Sequence, residues 1–203
     1  MNEEFNVQPT PQAPQKKEES FAKEALLFVW ETAKIVIISL AIIIPIRYYL
    51  VQPFFVKGAS MEPNFEDGDY LLVDEISYRV GEAERGDVIV FRYPEDRSQF
   101  FIKRIVGLPG ETVEIRNNRV TVYNESDKDG FTLEESYLEK GQITLGNYKV
   151  TLGADEYYVL GDNRLHSADS RRWGPVPQAD IIGRALIRAW PFDRATAIPD
   201  VTY

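Results

Sequence analysis

Apolar residues form one long run near the start of the chain and many short runs after it. Residues 21–34 place their apolar side chains at helical spacing, and residues 35–56 are apolar except for one charge, at Arg47. Together, residues 21–56 predict an amphipathic start and a single transmembrane helix, in which a kink at Pro45 is tolerated. An aromatic belt at the exit face is predicted at Tyr48, Tyr49, Phe54 and Phe55.

Basic residues are more frequent before the apolar run than after it. They are Lys16, Lys17, Lys23 and Lys34 before the run, against Arg47 and Lys57 after it. This asymmetry favours a cytoplasmic N-terminus and an extracytoplasmic body. A cleaved signal peptide is the competing interpretation, and the long preceding segment with acidic as well as basic residues disfavours it.

The segments on either side of the apolar run differ sharply. Residues 1–20 are rich in Pro, Gln, Glu and Lys and predict a disordered tail. Residues 57–203 contain short runs of Val, Ile, Tyr and Phe bounded by Gly, Asp and Pro, which predict a mainly β body, closed or sandwiched. Asn117-Asn118 predicts a hairpin turn, and residues 113–150 a variable insertion.

Composition excludes several classes of function. The chain has 203 residues, a net charge of −9, no cysteine and one histidine. The negative charge argues against nucleic acid as a partner, because phosphate binding requires a basic surface. Cysteine-based catalysis and a multi-histidine metal site are impossible within one chain, and we expect neither a metal nor an organic cofactor.

The sequence Gly58-Ala59-Ser60-Met61-Glu62-Pro63 follows the apolar run and presents a serine with little side-chain bulk before it. Such a serine is a nucleophile if a base and oxyanion donors lie near it, and otherwise it is a polar turn. Two bases are candidates. His166 would form a triad with Asp162 or Asp169.

Lys103 is the other candidate base. It shares one strand face with Phe101 and Ile105, where burial would lower its pKa. A shift from about 10.4 to roughly 7–8 requires about 3–5 kcal/mol of desolvation. The alternative is an edge-strand charge that discourages aggregation. The neighbouring Arg104 cannot act as a base, because guanidinium stays protonated.

Four segments occur in order after the predicted anchor: GASMEPNFEDGDYLLVDEISYR, RGDVIVFRYP, FIKRIVGLPGE and YYVLGDNRLHSADSRRWGPV. Together they resemble the type I signal peptidases, membrane-bound serine proteases that remove signal peptides. The resemblance covers the chain from about Tyr48 to Pro191. It implies a Ser/Lys dyad at Ser60 and Lys103 and favours Lys103 over His166 as the base.

The resemblance also implies supporting residues. Ser167 would hydrogen-bond Lys103, and Asp169 and Arg171 would form an ion pair. Asp162 would lie with them in the fourth segment, which contains the last sequence box of the family. Substrate contacts are implied at Val56, Met61, Phe101 and Ile102. The implied substrates are exported preproteins with small residues at −1 and −3, cleaved at the plasma membrane; a thylakoid membrane is an alternative.

The chain departs from the family pattern at two places. Many members carry a serine at the position of Gly58, so the oxyanion hole here is expected to use the Ser60 N–H and the Gly58 backbone. A frequent form of the last box is GDNRDNS, and here Leu165 and His166 replace its fifth and sixth residues.

Two rival functions remain at this point. A Ser/Lys autoproteolytic repressor should carry a DNA-binding domain before the serine, where this chain has an apolar segment. A non-catalytic, membrane-tethered β-domain would have no need of both Ser60 and Lys103. Asp67-Gly68-Asp69 and Arg85-Gly86-Asp87 are interpreted as turns, where Asp and Gly supply local hydrogen bonds and permissive φ.

Overall fold

The computed structural model describes residues 16–45, 51–201 and 203, and it divides into two compact units at residue 45. The helices are α1 (Lys16–Pro45), α2 (Ser77–Val80) and α3 (Ser170–Trp173). The strands are β1 (Val51–Phe55), β2 (Tyr70–Asp74), β3 (Val88–Tyr93), β4 (Asp96–Gly107), β5 (Thr112–Arg116), β6 (Arg119–Tyr123), β7 (Phe131–Thr132), β8 (Tyr148–Thr151), β9 (Glu156–Leu160), β10 (Val176–Pro177), β11 (Ile181–Trp190) and β12 (Thr196–Ala197).

Helix α1 forms the first unit. Its stretch from Lys23 to Ile44 is 22 residues long, has a mean hydropathy of 2.2 and is unburied, so it is long and apolar enough to cross a membrane. At 1.5 Å per residue this stretch spans about 33 Å, close to the thickness of a bilayer core. A disordered tail was predicted for residues 1–20. Residues 1–15 lie outside the described part of the chain, and residues 16–20 are helical instead.

The second unit is mainly β, as the sequence predicted. Its larger sheet is antiparallel with the order β1-β2-β11-β3-β4-β9-β10, and β12 pairs with β11. The smaller sheet has the order β7-β6-β5-β8 and is built from the segment predicted as an insertion. Its first hairpin turns at Asn117 and Asn118, with φ of 50° and 63°, as their tolerance of positive φ predicted.

The predicted boundary between helix and body was wrong at one end. Residues 51–55 are not helical but form β1, which pairs with β2. Phe54 is half-buried against the apolar cluster that contains Val88 and Val90, and Phe55 packs on Tyr70. Both residues therefore belong to a strand of the β-rich unit and not to the end of a helix. Pro53 is tolerated because β1 lies at the edge of its sheet, where a missing N–H breaks no ladder. Tyr48 and Tyr49 lie outside the described residues.

Two apolar clusters cover opposite faces of the larger sheet. In β3, Val88 and Val90 pack into one cluster, while Ile89 and Phe91 pack into the other. Strand β4 lies between β3 and β9 and is buried on both faces from Ile102 to Gly107. A side chain on this part of β4 is therefore removed from water, so β4 does not present Lys103 as an edge-strand charge.

Candidate active site

The loop after β1 presents Ser60. It folds into a turn in which the N–H of Phe65 donates to the carbonyl of Met61 at 2.9 Å. The side chains of Met61 and Phe65 are buried in the apolar cluster that contains Val88 and Val90, and they attach the turn to the sheet. Gly58 has a φ of +82°, a conformation that favours glycine, and its N–H donates to Asp67 Oδ1 at 2.7 Å.

Lys103 reaches this turn from the middle of β4. Its side chain is only 3% exposed, and its Nζ lies 2.7 Å from Ser60 Oγ and 2.7 Å from the carbonyl oxygen of Ile102. The Phe101 ring lies 5.6 Å from the same nitrogen, and Ile89 is the cross-strand partner of Lys103. Burial lowers the pKa of Lys103 to about 8, although the charges of Asp169 and Asp162 act in the opposite direction.

The loop after β9 holds the serine turn in place. The backbone N–H of Asn163 donates to the carbonyl of Ser60 at 3.0 Å, and its side-chain amide donates to the carbonyl of Ala59 at 3.0 Å. Gly161 allows this close approach, because a β-carbon there would lie 2.4 Å from the Ser60 carbonyl oxygen. Sequence reasoning placed Asn163 in the last box without assigning it this role.

Asp162 and Arg104 form a buried two-pronged ion pair. Arg104 donates from Nε to Oδ1 at 2.9 Å and from Nη2 to Oδ2 at 2.7 Å. Burial alone would lower the pKa of Arg104, but the hydrogen bond and charge of Asp162 raise it above its usual value. The Asp162 carboxylate also accepts a hydrogen bond from Asn64 Nδ2 at 2.8 Å. Asn64 lies four residues after Ser60 in the sequence. Asn64 was not identified from the sequence, because an amide in a turn gives no local signal.

Asp169 and Arg171 form the predicted ion pair, at 2.8 Å between Arg171 Nε and Asp169 Oδ1. Asp169 is fully buried, accepts the N–H of Gly161 at 3.0 Å and caps α3. Arg171 donates to the carbonyl of Arg164 at 2.7 Å. The pair therefore shapes the loop that contacts the serine turn.

Ser167 does not make the contact that the resemblance implied, and His166, the alternative base, is exposed. Ser167 forms no hydrogen bond with Lys103; its hydroxyl donates to the Ala168 carbonyl at 3.3 Å. It still packs beside the site, since a β-carbon on Gly161 would lie 2.2 Å from its Oγ. The exposed imidazole of His166 has no hydrogen-bond partner among the described residues, so it is not placed as a base for Ser60.

An open cleft of about 630 Å³ runs past Ser60 and Lys103. Its walls are mostly apolar and include three of the residues expected to contact substrate: Val56, Phe101 and Ile102. Met61, the fourth, differs from that expectation because it is fully buried, where its sulfur accepts the N–H of Asp162 at 3.5 Å. It supports the turn from below instead of lining the cleft.

The oxyanion donors can be assessed from the backbone. The N–H of Gly58 is already bonded to Asp67, so in this conformation it is not available to a substrate. The N–H of Ser60 has no acceptor among the described residues and is the donor left for a developing oxyanion. Among the residues that the structure describes, no group of three His, Asp or Glu side chains is arranged to hold a metal.

A hydroxyl in contact with a buried amine of lowered pKa, at the edge of an apolar cleft, is an arrangement in which an amine can activate a serine nucleophile. The family described as "Signal peptidase, peptidase S26" matches residues 29–190.

Relatives support the same family. A signal peptidase I from Leptolyngbya laminosa is 38% identical over 92% of this chain and 92% of its own length. A probable signal peptidase I-1 from Synechocystis is 38% identical over 87% of this chain and 90% of its own length. A signal peptidase I from Bacillus amyloliquefaciens is 34% identical over 80% and 86%. The chain belongs to the S26 family of signal peptidases and is a peptide-bond hydrolase.

Proposed function

We propose that this protein is a membrane-anchored endopeptidase that removes N-terminal signal peptides from exported preproteins with a Ser60/Lys103 dyad. The observation that carries the proposal is the 2.7 Å separation between the Ser60 hydroxyl and the buried Lys103 amine. The relatives named as signal peptidase I support the substrate class.

In the first step, the neutral Lys103 amine takes the Ser60 proton as Oγ attacks the carbonyl carbon of the scissile bond. The Ser60 N–H stabilises the oxygen that becomes negative. Lys103, now an ammonium, protonates the leaving nitrogen as the carbon–nitrogen bond breaks, and the mature protein departs with a free amino group. The signal peptide remains as an ester on Ser60.

Water completes the reaction. The amine of Lys103, neutral again, takes a proton from a water molecule that attacks the ester carbon. The ester bond breaks, Oγ of Ser60 recovers its proton from Lys103, and the signal peptide leaves with a free carboxyl group. Each proton that Lys103 accepts is returned within the same half-reaction, so no outside acid or base is consumed.

The surroundings of the dyad suit an apolar, extended substrate. Val56, Phe101 and Ile102 line the cleft beside Ser60, and small substrate side chains at −1 and −3 allow the backbone to approach the serine. The apolar stretch of α1 would anchor the enzyme in the bilayer that holds the signal peptide. We place the catalytic unit on the extracytoplasmic side of the plasma membrane, with a thylakoid membrane as the alternative.

Cleavage of a preprotein by the full chain in detergent micelles tests the proposal. The wild type should release the mature protein and should react with one equivalent of a serine-directed acylating probe. Ser60→Ala should do neither, while retaining the unfolding curve of the wild type. A preprotein with tryptophan at −1 is the substrate control and should be left intact. A Ser60→Ala variant that still cleaves, or a wild type that binds the preprotein without cutting it, would refute the proposal.

A further inference from the structure

Tyr137 lies between β7 and β8, in the segment that the sequence predicted as an insertion, yet it contacts the surroundings of both proposed catalytic residues. Its ring lies under the guanidinium of Arg104, with 4.1 Å between Arg104 Cζ and the ring centre. Its carbonyl oxygen accepts from Asn64 Nδ2 at 2.9 Å. Tyr137 is thus held by two residues, Arg104 and Asn64, that lie next to the proposed catalytic residues.

The hydroxyl of Tyr137 is occupied separately. It donates to Glu135 Oε1 at 2.8 Å and accepts from Arg164 Nη2 at 3.0 Å and from Tyr203 OH at 3.1 Å. A phenol has one donor and two acceptor sites, so this hydroxyl is fully satisfied. These bonds fix the ring, but none of them reaches the proposed dyad.

The ring and the carbonyl, by contrast, lead to the dyad by short paths. Arg104 follows Lys103 directly in β4 and grips Asp162. Asn64 donates its amide to both Tyr137 and Asp162, and it lies in the turn that begins at Ser60. Tyr137 therefore touches the strand that carries the amine and the turn that carries the hydroxyl, which are 43 residues apart in sequence.

We propose that Tyr137 is a positioning residue that keeps the Ser60 hydroxyl and the Lys103 amine at reacting distance, a role that rests on the proposed function. A buried guanidinium over an aromatic face is attracted to the ring, so the stacked Tyr137 restricts Arg104 and, through it, Asp162. Because Tyr137 does not line the cleft, its loss affects the chemical step and leaves substrate binding unchanged.

Two substitutions separate positioning from simple support of the fold. Tyr137→Met removes the aromatic face while retaining a flexible apolar side chain. Tyr137→Phe keeps the face and the backbone carbonyl but removes the hydroxyl bonds to Glu135, Arg164 and Tyr203. A purely structural role predicts that both variants lose stability and that each correctly folded molecule keeps full activity.

The experiment measures kcat and KM for preprotein cleavage by the full chain in micelles, with each kcat divided by the fraction of sites titrated by the acylating probe. For Tyr137→Met we expect kcat per titrated site to fall about tenfold, as loss of a buried cation–π contact implies, with KM within about twofold of wild type. For Tyr137→Phe we expect wild-type kcat per site despite a lower melting temperature.

Tyr148→Met is the matched control, since Tyr148 is an exposed tyrosine of the same segment, and it should change neither constant. If Tyr137→Met does not fold, Asn64→Ala removes the other contact, the hydrogen bond to the Tyr137 carbonyl, and should reduce kcat per site with KM unchanged. Unchanged kcat per site in Tyr137→Met, or in Asn64→Ala where that variant replaces it, overturns the positioning role alone. A wild type that neither titrates nor cleaves overturns the proposed function as well.

Discussion

Replacing Lys103 by methionine should make the folded protein more stable at neutral pH while abolishing cleavage. Burial lowers the pKa of Lys103 from 10.5 to about 8. The folded state therefore binds this proton less tightly than the unfolded state, and below pH 8 the protein carries the full cost of burying an ammonium. A shift of this size corresponds to about 3 kcal/mol at pH 7.

The dependence on pH follows from the same two pKa values. Between pH 8 and 10.5 the unfolded chain holds the proton and the folded protein does not, so the wild type gains stability as pH rises through this window. By pH 10 the remaining cost is about 1 kcal/mol. The methionine variant lacks this gain, so its advantage should shrink by about 2 kcal/mol between pH 7 and pH 10.

Urea unfolding of the full chain in micelles, followed by tryptophan fluorescence, measures this difference at the two pH values. Hydrogen bonds that Lys103 makes to Ser60 and Ile102 are lost from the variant at both pH values, so they cancel in the comparison. Lys57→Met, at an exposed lysine, is the control and should show no such trend. An advantage of Lys103→Met that is equal at pH 7 and pH 10 would refute the buried-ammonium reasoning.

Four further outcomes are expected. Cleavage by the wild type should fall on the acid side with the loss of one neutral amine near pH 8, as rate profiles would show. Lys103→Arg should abolish cleavage and His166→Ala should retain most of it; the reverse result would indicate a histidine-based triad. Gly161→Ala should lower acylation of Ser60 by the probe at least about tenfold, because its β-carbon would lie 2.4 Å from the Ser60 carbonyl oxygen. Protease added to right-side-out vesicles should digest the β-rich unit, and protection of that unit would reverse the assigned orientation.

Local sequence signals made Ser60 and Lys103 candidates, and the resemblance to the type I signal peptidases then favoured them as a dyad. Ser60 lies between small residues and proline, and Lys103 lies on a strand whose alternate residues are apolar. Strand alternation predicts an apolar face around the amine, and the structure shows that this part of the strand is buried on both faces. The turn at Asn117-Asn118 was predictable for the same reason, since its backbone conformation depends on those two residues alone.

Residues that act through tertiary contacts gave no such signal. Asn64 and Asn163 are ordinary turn amides until the loop after β9 approaches the serine turn. Tyr137 resembles any aromatic residue of a polar insertion. Strand β1 was hidden because its apolar residues continue the membrane-spanning pattern beyond Arg47, and pairing with β2 distinguishes the two.

The electrostatics of the site explain why the dyad needs so much surrounding structure. Asp169 and Asp162 raise the pKa of Lys103, which opposes the neutral amine that the proposed mechanism requires. Asp162 forms an ion pair with Arg104, and Asp169 forms one with Arg171. The positive charge of each arginine offsets the negative charge of its carboxylate. Burial can then dominate the pKa of the lysine, while the same two ion pairs hold the loop that contacts the serine turn. Positioning and charge balance are therefore supplied by one set of contacts, and a substitution in that set disturbs both together.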